Sequence, residues 1–279
     1  MQRNARLGSV IKNIRRLVTK PDRVHVIYDK ERTAINPRPS SYLYASLEGI
    51  LLENSETFAA TLEELRPYLA CPEIEAVPRN SDDPRTPYWD NGYFSFVDAR
   101  VAYALTAARR PSRIIEIGSG NSTKFFRKAL DDFGIACEIT SIDPSPRADI
   151  DGISDRVIRD NLLDVDLDLF LVLKRNDVLF LDGSHYAFNG TDTTRFFLEI
   201  LPLTPPGVLV HVHDICLPYE YSELFTERMY NEQYLLACVL LNSREWRPLL
   251  PVHYLDTKGY FEALPASDVA NTSFWMTRA

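Results

Sequence analysis

Three short stretches of this 279-residue chain gather groups able to bind a ligand and move a proton: Glu116-Ile-Gly118-Ser119-Gly120-Asn-Ser122, Asp182-Gly-Ser-His185 and His211-Val-His213-Asp214. In the first, two glycines let the backbone turn tightly and approach a ligand closely. A helix starting near Asn121 or Ser122 would offer free N–H groups to a polar or anionic group. Thr123 stands where a dinucleotide fingerprint needs a third glycine, and no lysine follows the glycines as in a phosphate-binding loop. Glu116, two residues before Gly118, supplies a carboxylate that can hold a cationic group, which a pyrophosphate site would avoid. Asp143 ends the next apolar run, 23 residues after Gly120, where an acid can accept both hydroxyls of a ribose.

The other two stretches bring two carboxylates and several histidines to the ends of two further apolar runs. Packing alone rarely ends a buried strand in His-Val-His-Asp, because an uncompensated buried polar group costs about 1–3 kcal/mol. Strand alternation places His211 and His213 on the same face.

These groups can act together only if their runs lie side by side. From residue 112 onward, short runs rich in Ile, Val, Leu and Phe alternate with helical segments: strands at 113–118, 137–143, 156–160, 177–182 and 207–214, with helices at 122–133, 163–174 and 191–201. Strands polar only at their C-terminal ends indicate a parallel sheet covered on both faces. A helix at 222–241 and strands at 247–255 and 272–278, with no helical crossover between the last two, predict an antiparallel edge pair. The expected fold is α/β, a doubly wound, mostly parallel seven-stranded sheet. Ligands of such sheets bind outside the carboxyl ends of the strands, where the three stretches fall.

Residues 1–88 read as a mainly helical N-terminal extension and 89–279 as the domain. A basic amphipathic helix carries Leu7, Val10, Ile11, Ile14, Leu17 and Val18 between arginines and lysines, and Pro21 ends it. It packs on its own protein or, through residues 3–20, meets an anionic membrane surface. A short strand is expected within 24–35, helices at 41–54, 57–70 (capped by Ser55) and 95–109, and a loop at 72–91 from which Asp90, Asn91 and Tyr93 can cover a ligand. Residues 1–23 hold seven basic side chains and one acid, so the rest is more acidic than the net −8 of the whole; such a body argues against a nucleic-acid partner. The scattered Cys71, Cys137, Cys216 and Cys238 form no CxxC pair and suit a reducing compartment. With no secretory signal and no apolar run of about 20 residues, the expected location is the cytoplasm, with peripheral membrane contact through the basic helix as the variant.

The ExGxG turn with an acid after the second strand resembles the class I S-adenosylmethionine-dependent methyltransferases, with their Rossmann-like sheet. LFLDGSH (179–185), HVHDICLPYEY (211–221), WDNGYFSFVDAR (89–100) and NEQYLL (231–236) are similar to the methyltransferase-24 group, over about 88–245. The resemblance implies S-adenosylmethionine as cofactor, with Glu116, Gly118, Ser119, Gly120 and Ser122 at its methionine and ribose end. It puts Asp143 on the ribose diol, Asp160 or Asn161 near the adenine, and Asp182 alongside. It fixes the chemistry better than the acceptor; the expected substrate is a small-molecule or glycan hydroxyl, with N-methylation as the variant.

Two mechanisms suit the acceptor end. In one, His185 or His213 takes the acceptor's proton while Asp214 or Asp182 orients the imidazole. In the other, Asp182, His213 and Asp214 hold a divalent ion, as the Asp and Asp-Asn ligands of catechol-type O-methyltransferases do; histidine favours Mn²⁺, Fe²⁺ or Zn²⁺ over Mg²⁺. A mainly structural histidine network is the third alternative. Tyr186, Tyr219 and Tyr221 can wall the acceptor. A catalytically silent scaffold would keep the same turn, whereas an NAD-dependent oxidoreductase would need a third glycine and no Glu116.

Overall fold

The seven apolar runs pair into one sheet because each is too short and too apolar to be stable alone. The computed structural model describes residues 37–146 and 148–279. The basic helix of residues 3–20 and the strand expected within 24–35 lie outside the described residues. Arg38–Ala279 forms one compact unit. Among the described residues no helix is long and apolar enough to cross a membrane.

In chain order the principal elements are α1 (Ala45–Glu53), α2 (Ser55–Leu69), α3 (Phe96–Arg109), β1 (Arg113–Ile117), α4 (Asn121–Asp132), β2 (Glu138–Ile142), β3 (Arg156–Ile158), β4 (Val178–Leu181), β5 (Leu209–Val212), α5 (Glu232–Asn242), β6 (Trp246–Pro251) and β7 (Phe274–Arg278). The strand order is β3-β2-β1-β4-β5-β7-β6. Strands β3 to β5 are mutually parallel, and β7 runs antiparallel to both β5 and β6. The fold is thus the doubly wound α/β sheet with an antiparallel edge pair expected from the sequence. The chain winds outward from β1 to β3 and returns to β4, which opens the topological switch point between β1 and β4.

The central strands hold the core. Ile114, Ile115 and Ile117 on β1, all of β4, and Val210 and Val212 on β5 are buried, since helices cover both faces of a parallel sheet. Register aligns the carboxyl ends: the Gly118 N–H donates to Ile142 O at 3.0 Å, Asp182 N–H to Ile117 O at 2.8 Å and His213 N–H to Leu181 O at 2.9 Å. At the opposite end, the Asp177 carboxylate accepts from Ser112 N–H (2.8 Å) and Oγ (2.9 Å), Arg113 N–H (2.9 Å) and Lys174 N–H (2.8 Å), fixing where β1 and β4 begin.

α3 starts where Ser95 Oγ accepts from Asp98 N–H and ends at Arg110 just before Pro111. Buried Arg100 donates to Leu69 O and Glu75 Oε1 and lies over Trp89, so the chain before the sheet is tied into it. Asp98 accepts from Thr272 and Ser273 N–H at 2.9 and 3.0 Å, setting the approach to β7.

Four local expectations change. Ser55 is the first residue of α2 and does not cap it; Asn54 holds the cap position. The helix expected at 163–174 shrinks to the turns Leu162–Asp164 and Asp168–Leu171. The helix expected at 222–241 splits into Glu223–Glu227 and α5, because Met229 adopts φ +63° between them, a left-handed backbone no helix continues through. The run 247–255 is a strand only to Pro251 and then turns into the helix Val252–Thr257.

Candidate functional site

The turn after β1 is built around Glu116. Its carboxyl group is fully buried beneath the turn and accepts from the Ser122 and Thr123 hydroxyls at the start of α4. Thr123 Oγ1 in turn accepts from Gly120 N–H at 3.0 Å. Thr123, standing where a dinucleotide site has glycine, therefore closes the turn with its hydroxyl, a role sequence spacing does not reveal. Burial is the main force on Glu116, raising its pKa to about 8 from 4.5 against the two hydroxyl donors, with Asp182 and Asp143 adding repulsion. Glu116 is absent from the cavity wall and anchors the turn from beneath.

Gly118, at φ +77°, is irreplaceable on steric grounds: a Cβ there would overlap the Asp182 carbonyl oxygen. Gly120 differs. A Cβ would meet nothing within 4 Å, so its bare Cα leaves space at the cavity.

That cavity, about 360 Å³, opens at the carboxyl ends of β1, β2 and β4. Its wall includes Gly118, Ser119, Gly120, Asn121 and Ser122 from the turn, Asp143 to Ser145 after β2, Asn161 and Leu162 after β3, Asp182 to Ser184 after β4, and Tyr93 and Phe94 from the preceding loop. Asp143 Oδ2 accepts from Ser119 N–H at 3.0 Å and Oδ1 from Ser145 N–H at 2.8 Å. Each oxygen keeps a lone pair for a ligand. Ser119 Oγ is buried without a hydrogen-bond partner among the described residues, a polar atom aimed at something the protein does not supply. Of the pair Asp160 and Asn161, only Asn161 lines the cavity; Asp160 is exposed outside it. Asn91, buried, binds the backbone of Tyr88, Trp89, Tyr93 and Phe94 and so shapes the loop, while Asp90 pairs with Arg79.

Beside the cavity, Asp182, His185 and Asp214 converge, with one ligand atom from each within 4.8 Å of the others. His185 Nε2 lies 3.5 Å from Asp182 Oδ1 and 3.5 Å from Asp214 Oδ2, and Nδ1 contacts Glu232 Oε1. Burial opposes charge on the ring, but Glu232 first and then Asp214 and Asp182 outweigh it and raise the pKa of His185. Both ring nitrogens thus face acids. His185 (φ +65°) and Asp214 (φ +55°) have left-handed backbones, a strain that recurs at functional sites. Thr272 Oγ1 donates to Asp214 Oδ1 at 3.2 Å, which turns Oδ2 toward His185.

His213 lies at the border of this trio: burial opposes its charge, but Asp182 and then Asp214 outweigh that and raise its pKa. It is buried against Phe94 and His211, its Nε2 is 3.9 Å from Asp214 Oδ1, and its Nδ1 has no partner among the described residues. The side chains that converge are Asp182, His185 and Asp214, a group that differs in its histidine from the expected Asp182, His213 and Asp214. β5 ends at Val212, and the left-handed turn at Asp214 carries that carboxylate toward His185 while His213 stays in the packing. His211 is a core residue, stacked on Phe180 at 3.8 Å with Nε2 2.9 Å from Ser273 Oγ; burial pushes its pKa well down. Glu232 was not foreseen, although a single acid opening the apolar helix EQYLLACVLLN was a visible signal. The helix break at 228–231 brings Tyr230 over His185, ring centroids 4.3 Å apart. Tyr186 packs on Tyr230 at this site, whereas Tyr221 is buried with Phe225 and Tyr219 packs toward His253.

Residues 115–215 match the model of a family described as a methyltransferase domain, which bears out the resemblance drawn from the sequence. No curated protein matches the chain. Among solved structures it is similar to an O-methyltransferase from Bacillus cereus in complex with S-adenosylhomocysteine (13% identity, covering 85% of this chain and 91% of that one, TM-score 0.42). A putative O-methyltransferase from Klebsiella pneumoniae gives 12% identity over 82% and 98%, with TM-score 0.43. A methyltransferase from Podospora anserina, also bound to S-adenosylhomocysteine, gives 16% over 81% and 96%, with TM-score 0.42.

Glu116 provides a pH test. The folded protein keeps its proton up to about pH 8, whereas the unfolded chain releases it near 4.5. The folded state binds more protons between those values, so stability is fully present below 4.5 and falls as pH rises toward 8, by up to about 1.4 kcal/mol per pH unit. Urea unfolding at a series of pH values should show a shallower fall for Glu116→Gln than for the wild type; identical slopes would refute the buried, protonated state.

Proposed function

We propose that this chain is an S-adenosylmethionine-dependent methyltransferase that methylates a hydroxyl of a small molecule or glycan. The observation that carries the reading is the adjacency, on one sheet edge, of a cavity suited to a nucleoside and a trio of metal-type donors, with Asp182 belonging to both. The cavity fits the cofactor in three respects. Its volume lies in the range of small-molecule sites, about 300–1,000 Å³; the unpartnered Ser119 Oγ awaits a polar group; and Asp143 retains acceptor capacity for a diol.

In this reading Asp143 takes the ribose hydroxyls, Asn161 and Leu162 flank the adenine, and the Gly118–Ser122 turn receives the methionine end. Bound there, the cofactor supplies an electrophilic methyl group that moves in one in-line displacement. The residues' main contribution is to hold donor and acceptor in line, which in the best intramolecular models lowers a barrier by about 7–11 kcal/mol.

Asp182, His185 and Asp214 would hold a divalent cation, which acidifies an acceptor hydroxyl. The contacts of His185 Nε2 to both aspartates, at 3.5 Å, are longer than hydrogen bonds of 2.7–3.2 Å, and they suit ligands arranged around a common ion. Glu232 accepts the Nδ1 proton of His185 and thereby turns the Nε2 lone pair toward the aspartates, the usual support of a metal-binding histidine. One nitrogen and two oxygens favour Mn²⁺, Fe²⁺ or Zn²⁺ over Mg²⁺. Without a cation the same acids hold His185 as imidazolium, which has no lone pair for a base. In that cation-free state the acceptor's proton would go to Asp182, the more exposed of the two aspartates and the one that reaches the cavity.

Asp143→Ala should weaken S-adenosylhomocysteine binding by about tenfold or more, the scale of hydrogen bonds to a charged group, as read by calorimetry; unchanged affinity would remove the ribose assignment. Binding of Mn²⁺, followed by electron paramagnetic resonance, should weaken about 10–100-fold in Glu232→Gln. His213→Ala should stay within about threefold, under 1 kcal/mol. The opposite ranking would return the site to His213.

A further inference from the structure

A second cavity, about 490 Å³, lies on the outer face of α4, between the 76–87 loop and the turn at Gly152 and Ile153. It shares no lining residue with the cofactor cavity. Helical spacing presents Lys124, Arg127 and Lys128 to it, joined by Arg85 from the loop and by Asp131 and Asp132 from the end of α4.

Most of these charges are already satisfied. Arg127 donates to Ile153 O at 2.7 Å and to Asp155 Oδ2 at 2.6 Å. Lys128 pairs with Asp132, which also accepts from Tyr103 OH at 2.6 Å. Lys124 is different. Only 4% of it is exposed, and among the described residues its ammonium has no carboxylate at ion-pair distance; it meets the Tyr88 ring at 5.0 Å from the centroid. Burial lowers its pKa, and Asp83 and Asp149 counter this only at longer range. Asp83 is occupied by its own turn, accepting from Arg85 N–H and Thr86 Oγ1. An ammonium on a mostly buried side chain at the wall of an open cavity gains from a counter-charge delivered into that cavity.

We propose that this cavity binds the phosphoryl group of a small phosphorylated molecule, with Lys124 as its principal cation and Arg85 as the second. Arg85 lies against Gly152 and is exposed at the rim, its Nε 3.6 Å from Asp83 Oδ1, while Val77, Pro78, Pro87 and Ile153 give apolar wall for the ligand's body. The inference is independent of the cofactor reading, because the two cavities are separate.

The test is a calorimetric titration of the full chain with inorganic phosphate, alongside Lys124→Met, Lys124→Arg and Arg85→Met, each checked for folding by thermal melting. Wild type and Lys124→Arg should bind within about threefold of each other, Lys124→Met about tenfold or more weaker, and Arg85→Met about threefold weaker. No binding by the wild type, or equal binding by Lys124→Met, would overturn the proposal. Should Lys124→Met fail to fold, Arg85→Met at the exposed rim decides, and unchanged affinity there would overturn it equally.

Discussion

The carboxyl group of Glu116 sits in the interior of the sheet with two hydroxyls from the next helix bound to it, and the geometry of the site follows from that contact. A strand that ends in a turn this tight needs something to hold the first residues of the helix down. Ser122 and Thr123 do so through Glu116, and Thr123 also takes the Gly120 N–H. With the helix start fixed, Gly118 can sit against the Asp182 carbonyl where no side chain fits. Gly118 thereby packs against the end of β4, and Ser119 N–H is delivered to Asp143. The polar groups of one cavity wall trace back to a single buried acid.

A second buried acid organises the neighbouring half-site in the same manner. Glu232 opens α5, an otherwise apolar helix, and meets His185 Nδ1, while Asn231 beside it accepts from Ala187 N–H and donates its own N–H to His185 O. This grip holds His185 in a backbone conformation a histidine rarely adopts and points its other nitrogen at Asp182 and Asp214. Two carboxylates facing one imidazole in a poorly solvated spot repel each other, and a cation between them relieves that repulsion. The chemistry proposed for the acceptor end rests on this arrangement rather than on the number of histidines nearby.

Much of this was legible in the residues. Short β-branched runs ending in polar residues defined the sheet, and the carboxyl ends of β1, β2 and β4 were where Gly118, Asp143 and Asp182 proved to lie. The convergence of His185, rather than His213, with Asp182 and Asp214 was not legible, because alternation holds only while the strand stays regular; β5 stops at Val212, and the left-handed Asp214 then redirects the chain. Nor was the break at Met229, since 222–241 holds no glycine or proline to mark it, and Tyr230 packs on His185 just beyond. The spacing of Glu116 marks it as special, but spacing alone does not tell whether a strand residue faces the cavity or the turn beneath it.

The account depends most on the switch-point cavity being a nucleoside site built on the Glu116 turn. A crystal structure of the chain grown with S-adenosylhomocysteine tests this directly. The account predicts ribose hydroxyls on Asp143, the amino-acid end along Gly118 to Ser122 with a hydrogen bond to Ser119 Oγ, and the sulfur facing Asp182. Crystals with that cavity empty, or with the ligand held elsewhere, would contradict it.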